Sequence, residues 1–471
     1  MGQHRFLIAE RSHAILPRPI QLRADLNHRY GEERLPRYTS YPTAPCFSGA
    51  ITQRTYRQWL SEIPHDKTVS LYLHIPFCQS MCWYCGCNTT IVRRNEPVAE
   101  YLAALSQEIG TVTDHLGQRL KVGAVHFGGG TPTIMTPGQF SDLMNVLRQK
   151  FAFLPDAEIA IEIDPRRLTR EMSLALGANG VTRASLGVQS FDPAVQQAVN
   201  RIQSFEDTAA VTEGLRAAGI RSINFDLIYG LPHQTVASCF DTVQKCLELR
   251  PDRFAVFGYA HVPTFKKHQR KIDEAALPDG EKRHLQANMI AHCLINAGYR
   301  QIGLDHFALP ADSLTTTQAA GHLHRNFQGY TTDDSDILIG FGASAIGRLE
   351  QGYVQNEVAP RAYCTLIADG NLPTRKGYAL SADDRLRADI IERIMCDFRV
   401  DLQQVCERHG ARPETVLRSA DRLDMLIADG IVRREGYVLS IADDTRHLVR
   451  SVAAAFDAYL AVPGPVYSRA V

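Results

Sequence analysis

Apolar and polar positions alternate in a regular way from residue 68 to about residue 305. Short apolar runs suited to strands fall at 68–75, 121–127, 157–163, 182–188, 221–228 and 252–260. Amphipathic segments with helical spacing separate them, for example at 97–116, 137–150, 204–218 and 235–248. Six β–α units in succession predict a parallel sheet and an α/β class. Periodicity alone leaves two arrangements open, a doubly wound sheet or a partial barrel.

The flanks follow other patterns. Residues 1–55 carry Pro17, Pro19, Pro36, Pro42 and Pro45 among polar and basic residues, which predicts an extended arm with at most one short helix near 21–31. Within it, Arg34 to Thr43 is rich in tyrosine and arginine. Residues 56–365 form the expected main domain, and a Gly/Asn/Pro-bearing stretch at 366–382 leads into a further unit, 366–471. There, helical patterns at 381–396, 400–409 and 412–427 precede a hairpin at 429–440 and a last helix at 443–460. Helices plus a hairpin fit either a winged helix that reads DNA or a helical cap. The unit has no basic stripe, which favours the cap.

Charge and composition narrow the classes. Lys plus Arg and Asp plus Glu are each 51, so no net field marks the chain for nucleic acid or an anionic membrane. No apolar run approaches the ~20 residues of a membrane span. Phe6–Ala9 is too short and too closely flanked by charge for a signal-peptide core, so a cytoplasmic enzyme is expected. Of the eleven cysteines, seven (46, 239, 246, 293, 364, 396 and 406) lie in ordinary segments and read as reduced, buried thiols.

The other four are packed into ten residues, Cys78-Gln-Ser-Met-Cys82-Trp-Tyr-Cys85-Gly-Cys87. Pro76 stops the first strand just before them, so they sit on a loop at a strand's C-terminal end, where α/β folds place chemistry. Thiolates in one compact loop suit an iron–sulfur cluster. Zinc is the alternative, although structural zinc usually draws ligand pairs from separate places. Cys78, Cys82 and Cys85, spaced C-x3-C-x2-C, would give a four-iron cluster three ligands and leave one iron open to a small molecule. The second strand runs into Gly128-Gly-Gly-Thr-Pro-Thr133, where consecutive glycines admit a ligand against the backbone; the order is not that of a phosphate loop. Glu162, Gln189 and Asp226 recur at the expected ends of later strands, facing a shared pocket. His74, His126, His261 and His306 near those ends read as supporting rather than ligating residues.

The C-x3-C-x2-C spacing, with aromatic Tyr84 before the third cysteine, resembles the radical S-adenosylmethionine superfamily. More narrowly, an ordered series of motifs resembles the oxygen-independent coproporphyrinogen III oxidase family. It includes Tyr38-Thr-Ser-Tyr-Pro-Thr43, Cys85-Gly-Cys-Asn88, His126-Phe-Gly-Gly-Gly-Thr-Pro-Thr133, Gly187-Val-Gln-Ser-Phe191, Asp226-Leu-Ile-Tyr-Gly-Leu-Pro232 and Leu323-His-Arg-Asn-Phe-Gln-Gly-Tyr330. The resemblance covers residues 30 to 460 and implies an incomplete (βα)6 TIM-like barrel, an arm over its mouth and a mostly helical C-terminal domain. It implies a [4Fe-4S] cluster on Cys78, Cys82 and Cys85 and two S-adenosylmethionine molecules. Tyr72, Tyr84, Gly129, Glu162 and Ile346 would contact the first of these. Gly130, Thr131, Gln189, Arg201, Asp226 and Ala260 would contact the second, with Cys87 close by and not a ligand. The implied reaction converts two propionates of coproporphyrinogen III to vinyls through a 5′-deoxyadenosyl radical. It needs an electron donor and an electron acceptor that the sequence does not identify. A monomer without nucleic-acid or membrane partners is expected. Tyr84 departs from the family's usual phenylalanine, and the N-terminal extension carries no motif. Arg34 and Arg37 are candidates for pairing with substrate carboxylates, with 30–45 as a lid.

Overall fold

The computed structural model describes residues 26–31, 33–420 and 422–460; the expected helix near 21–31 and the arm before residue 26 lie largely outside them. Six parallel strands follow the periodicity: β1 (Thr68–Ile75), β2 (Lys121–Gly129), β3 (Ala152–Ile163), β4 (Arg183–Gln189), β5 (Ser222–Tyr229) and β6 (Arg253–Gly258). They lie side by side in chain order and pair in parallel throughout. The order never reverses, so the sheet has no topological switch point and curls as an incomplete barrel, which settles the choice the periodicity left open. β3 starts five residues earlier than its apolar run because Ala152 and Phe153 pair with β2 ahead of a register shift.

Helices cover the outside: α1 (Glu96–Leu116), α2 (Pro137–Lys150), α3 (Arg170–Ala178), α4 (Phe205–Ala217), α5 (Val236–Glu248) and α6 (Gly280–Asn296). Their starts are set by short polar side chains. Thr136, Thr169, Ser204, Thr235 and Asp279 each accept a backbone N–H of the first turn. The alternation in β4 shows how the layers divide. Ala184, Leu186 and Val188 are buried toward the helices, while Arg183, Ser185, Gly187 and Gln189 face inward. The lumen is therefore polar, unlike the apolar layers that fill a closed barrel.

The sheet grows at both ends. β7 (Arg300–Ile302) and β8 (His306–Ala308) add antiparallel beyond β6. On the other side β9 (Leu338–Phe341) joins β1 in parallel, followed by antiparallel β10 (Ile346–Leu349), β11 (Gly352–Asn356) and β12 (Thr374–Ala379). Among the described residues this makes one twelve-stranded sheet, which runs on past residue 365 to Ala379.

The C-terminal unit opens with α7 (Ala382–Asp397) and carries a three-stranded antiparallel sheet of β13 (Arg399–Asp401), β14 (Val432–Glu435) and β15 (Val438–Ile441). The expected helix at 443–460 is instead a broken run of 3-10, α and 3-10 turns ending at Phe456, and its apolar side is fully buried. This unit has its own core, and the arm enters it: Leu26, Tyr30, Leu35, Tyr38 and Tyr41 pack there with Ile390, Ile394, Leu448 and Phe456. No described helix is long and apolar enough to cross a membrane.

Candidate active site

Strand β1 ends at Ile75, and Pro76 turns the chain into the cysteine loop above the C-terminal ends of the barrel strands. All four thiols are free. Each of the first three is embedded among donors. Thr89 donates its hydroxyl to Cys78 Sγ at 3.2 Å, and Thr131 Oγ1 lies 3.4 Å from the same sulfur. Arg166 and Arg201 donate to Cys82 Sγ at 3.5 and 3.4 Å. The Cys87 backbone N–H donates to Cys85 Sγ at 3.4 Å. The closeness of the two thiols holds Cys85 below and pushes Cys87 well above the ordinary thiol value.

Hydrogen bonds to sulfur are what tune a cluster held by cysteines. Three sulfurs on one loop with donors around them fit a cluster with one uncommitted corner.

Beside the loop, the glycines at the end of β2 let the backbone that leads into the cysteine loop approach closely. A Cβ on Gly130 would come within 2.5 Å of the Phe77 carbonyl oxygen and Thr89 Oγ1. Gly129 has φ +122, a conformation open to glycine, and a Cβ there would meet the Ile75 carbonyl at 2.8 Å. Its N–H donates to Glu162 Oε2 at 3.1 Å, and His126 Nε2 lies 3.3 Å from Glu162 Oε1. Tyr72 stacks on His126 with centroids 5.9 Å apart, and its hydroxyl lies 2.9 Å from His74 Nδ1. Tyr72, Gly129 and Glu162 are thus brought into one wall.

A second group gathers around Arg201. Its guanidinium touches Cys82, the Gly187 carbonyl at 2.6 Å and Asp164 Oδ1 at 3.3 Å. Asp164 also takes Arg166 at 2.6 Å. Burial would raise Asp164, but the two guanidiniums hold it below the ordinary carboxylate range. Asp164 and Arg166 were not singled out in the sequence. The available signal was the Ile-Asp-Pro-Arg turn just past β3, next to Glu162.

Asp226 is a correction of depth. It sits inside β5, with Leu227, Ile228 and Tyr229 still to follow, not at the strand's end. Ser185 and Asn224 donate to it at 2.9 and 2.8 Å, and burial, reinforced by the nearby Glu162, pushes it up to about 7. Gln189 holds φ +67 at the end of β4, and its Oε1, like Asn224 Oδ1, is buried without a hydrogen-bond partner. Orphaned buried acceptors around a polar lumen are what a hydroxyl- and amine-bearing ligand would satisfy.

Tyr84 packs with Trp83 against Val195, Val199 and Tyr259. Gln269 donates to both the Tyr84 and Ala260 carbonyls, at 3.0 and 3.2 Å, and so joins the cysteine loop to the end of β6. Ile346 stands on β10, paired with Gln355. The four histidines are all engaged with protein groups: His74 with Asn88, His126 with Glu162, His261 with Tyr259 and Glu274, and His306 with Asp305.

Residues 72–246 match the radical SAM superfamily. The chain is 63% identical over 450 residues to the oxygen-independent coproporphyrinogen III oxidase of Bradyrhizobium diazoefficiens, covering 96% of this chain and 100% of that one. The enzyme so named from Salmonella typhimurium is 41% identical, with 90% of this chain and 93% of the relative covered. Among solved structures, coproporphyrinogen III oxidase (HemN) from Escherichia coli, described as a radical SAM enzyme, superposes with a TM-score of 0.88 at 38% identity, covering 94% of this chain and all of that one. The cysteine loop, the glycines at the end of β2 and the incomplete barrel are thereby accounted for together: this chain belongs to the oxygen-independent coproporphyrinogen III oxidase family of the radical SAM superfamily.

Proposed function

We propose that the protein is an oxygen-independent coproporphyrinogen III oxidase of haem and porphyrin biosynthesis, converting two propionates of coproporphyrinogen III to vinyls to give protoporphyrinogen IX. The observation that supports this reading, beside family membership, is that hydrogen-bond donors surround three thiols of one loop and that Arg201 ties one of them, Cys82, to Asp164 and to the Gly187 carbonyl on the lumen side of β4. Cys78, Cys82 and Cys85 would hold a [4Fe-4S] cluster. Bound there with S-adenosylmethionine, such a cluster supplies hydrogen-atom abstraction from an unactivated carbon, driven by one external electron. Each propionate then loses a hydrogen atom from its β-carbon, carbon dioxide and one electron, which leaves the vinyl group.

The chain's own residues bind and orient. Tyr72, Tyr84, Gly129, Glu162 and Ile346 would frame the cluster-side S-adenosylmethionine. Glu162 is suited to an ammonium or ribose hydroxyl because a carboxylate only accepts. Gly130, Thr131, Gln189, Arg201, Asp226 and Ala260 would frame a second molecule, with Cys87 beside it. Arg201 would link the two halves, since it touches both Cys82 and the Gly187 carbonyl. The arm and the C-terminal unit would exclude water from the reacting carbon. An unidentified electron donor and acceptor, a cytoplasmic setting and a monomeric enzyme complete the reading.

The test is an anaerobic assay of cluster-loaded enzyme with reductant, S-adenosylmethionine and coproporphyrinogen III. Monovinyl and divinyl products should form together with 5′-deoxyadenosine. Enzyme with a full cluster that yields neither would reject the assignment.

A further inference from the structure

Beyond the barrel lumen, a cavity of about 780 Å³ opens between the ends of β5 and β6, the arm and the C-terminal unit. That is within the size range of small-molecule sites. It lies against the catalytic loop, because its lining residue Ala260 is bridged through Gln269 to the Tyr84 carbonyl. Five arginines line it: Arg34, Arg37, Arg283, Arg325 and Arg450. Three acids also line it, but two are on the wet rim. Glu274 is 70% exposed and engaged by His261, and Asp279 is 59% exposed and engaged by Lys282. Asp305 is the one buried acid of the three, at 16%.

Arg325, on the strand His324–Asn326, is the pivotal group. Its side chain is only 5% exposed. One terminal nitrogen donates to the Arg37 carbonyl at 3.4 Å, and the guanidinium lies 4.4 Å from the Tyr330 ring centroid. Its other terminal nitrogen is 3.8 Å from Asp305 Oδ1, too far for a hydrogen bond, and that nitrogen and Nε are both buried without a partner. Asp305 meanwhile accepts from His306 at 2.7 Å. The Arg325–Asp305 ion pair at 3.8 Å therefore leaves those N–H groups without a hydrogen bond. Buried guanidinium donors left open beside a cavity fit an anionic ligand.

Resting on the function proposed above, we infer that this cavity seats a propionate-bearing edge of the tetrapyrrole, with Arg325 taking one carboxylate and Arg34 and Arg37 of the arm facing a second. The Asn326–Tyr330 turn then serves to place Arg325, and the arm brings its two arginines to the opposite wall. Four propionates distinguish the substrate from its divinyl product, so losing two carboxylates weakens the product's hold and favours its release.

The probe is coproporphyrin III, the stable oxidised macrocycle with the same four propionates, titrated by fluorescence onto cluster-loaded enzyme without oxygen. Its neutral tetramethyl ester is the control. The acid should bind well ahead of the ester, and Arg325→Gln should weaken the acid by roughly tenfold or more while leaving the ester and S-adenosylmethionine binding unchanged. Arg325→Lys should restore part of the loss. The double variant Arg34→Gln/Arg37→Gln, on exposed arm positions, should weaken the acid several-fold, and it decides alone if R325Q does not fold. Equal binding of acid and ester by the wild type, or wild-type affinity in folded R325Q, would overturn the subsite. Wild-type enzyme that binds the acid selectively but forms no vinyl product would overturn the reaction and leave the subsite standing.

Discussion

Each of the three proposed ligand sulfurs has a different set of neighbours, and single substitutions should separate their roles from that of Cys87. Cys78→Ser, Cys82→Ser and Cys85→Ser are each expected to abolish the brown chromophore after anaerobic reconstitution, as bound iron and sulfide per chain will report. Cys87→Ser should keep the colour, because Cys87 serves as a hydrogen-bond partner of Cys85 and lies outside the C-x3-C-x2-C set. Loss of the cluster in C87S would move the ligand assignment by one cysteine. The sulfurs were legible in the sequence because all their backbone neighbours lie within one turn. The Asp164–Arg166–Arg201 group was not, since Arg201 reaches Asp164 across 37 residues and only the curl of the sheet brings them together. Asp226 carries a pH signature. Burial raises its folded value to about 7 against about 4 unfolded, so the folded chain holds a proton that the unfolded chain has lost. Its contribution is therefore fully present below about pH 4 and is lost as pH rises to about 7. Without ligands, thermal stability of Asp226→Asn should fall less steeply over that window than the wild type's; identical slopes would show that Asp226 titrates normally.

One buried carboxylate joins separate elements. Glu108, inside α1, accepts from the Gly342 N–H at 2.7 Å, Tyr363 Oη at 2.6 Å and Asn356 Nδ2 at 2.7 Å. It thereby ties α1 to the turn between β9 and β10, to the end of β11 and to the helix Pro360–Ala368. That turn leads directly to Ile346, so the tie sets the height of the strand that borders the site. Glu108→Gln replaces an acceptor oxygen with an amide that must face one of three donors. The expected cost is about 1–3 kcal/mol of stability by denaturant melts. Iron content at low temperature should stay at the wild-type level, since no sulfur contact changes. A neutral result would show that the three donors re-pair locally. Nothing in the sequence marked Glu108, which reads as an ordinary polar position of an amphipathic helix. The strands themselves were legible, apart from the early start of β3, because the positions that face the helices stay apolar in a regular pattern even where the lumen side is polar. Asp226 was read one layer too shallow. The 221–228 run already carried the strand past Asp226, and pairing with β6 out to Tyr229 fixes the residue inside it.

Across the whole molecule, the arm is held by the C-terminal unit more than by the barrel. Tyr38 Oη donates to Asp457 at 3.0 Å, Tyr41 Oη accepts the Ala458 N–H at 2.9 Å, and Tyr30 Oη donates to Asp429 at 2.5 Å. Arg450 Nε donates to the Pro36 carbonyl at 2.9 Å, and its terminal nitrogen reaches the Leu35 carbonyl. The tyrosines of the Tyr38-Thr-Ser-Tyr41 stretch were visible in the sequence, but their partners lie some 400 residues away and could not be read there. Arg450 grips the two carbonyls between Arg34 and Arg37, so it fixes where those arginines stand over the cavity. Arg450→Met removes that grip and also removes a charge that burial and Arg37 already disfavour, pulling it down to about 9. These two effects oppose each other in global stability, because replacing a buried ionic group with an apolar group of similar size is often neutral. They do not oppose each other in the arm. The expected outcome is a melting temperature close to wild type, faster tryptic cleavage at Arg34 and Arg37, and a raised KM for coproporphyrinogen III with cluster content unchanged. Cleavage as slow as in the wild type would mean that the tyrosines hold the arm without Arg450, and the arm's position would then be set by its apolar anchors alone.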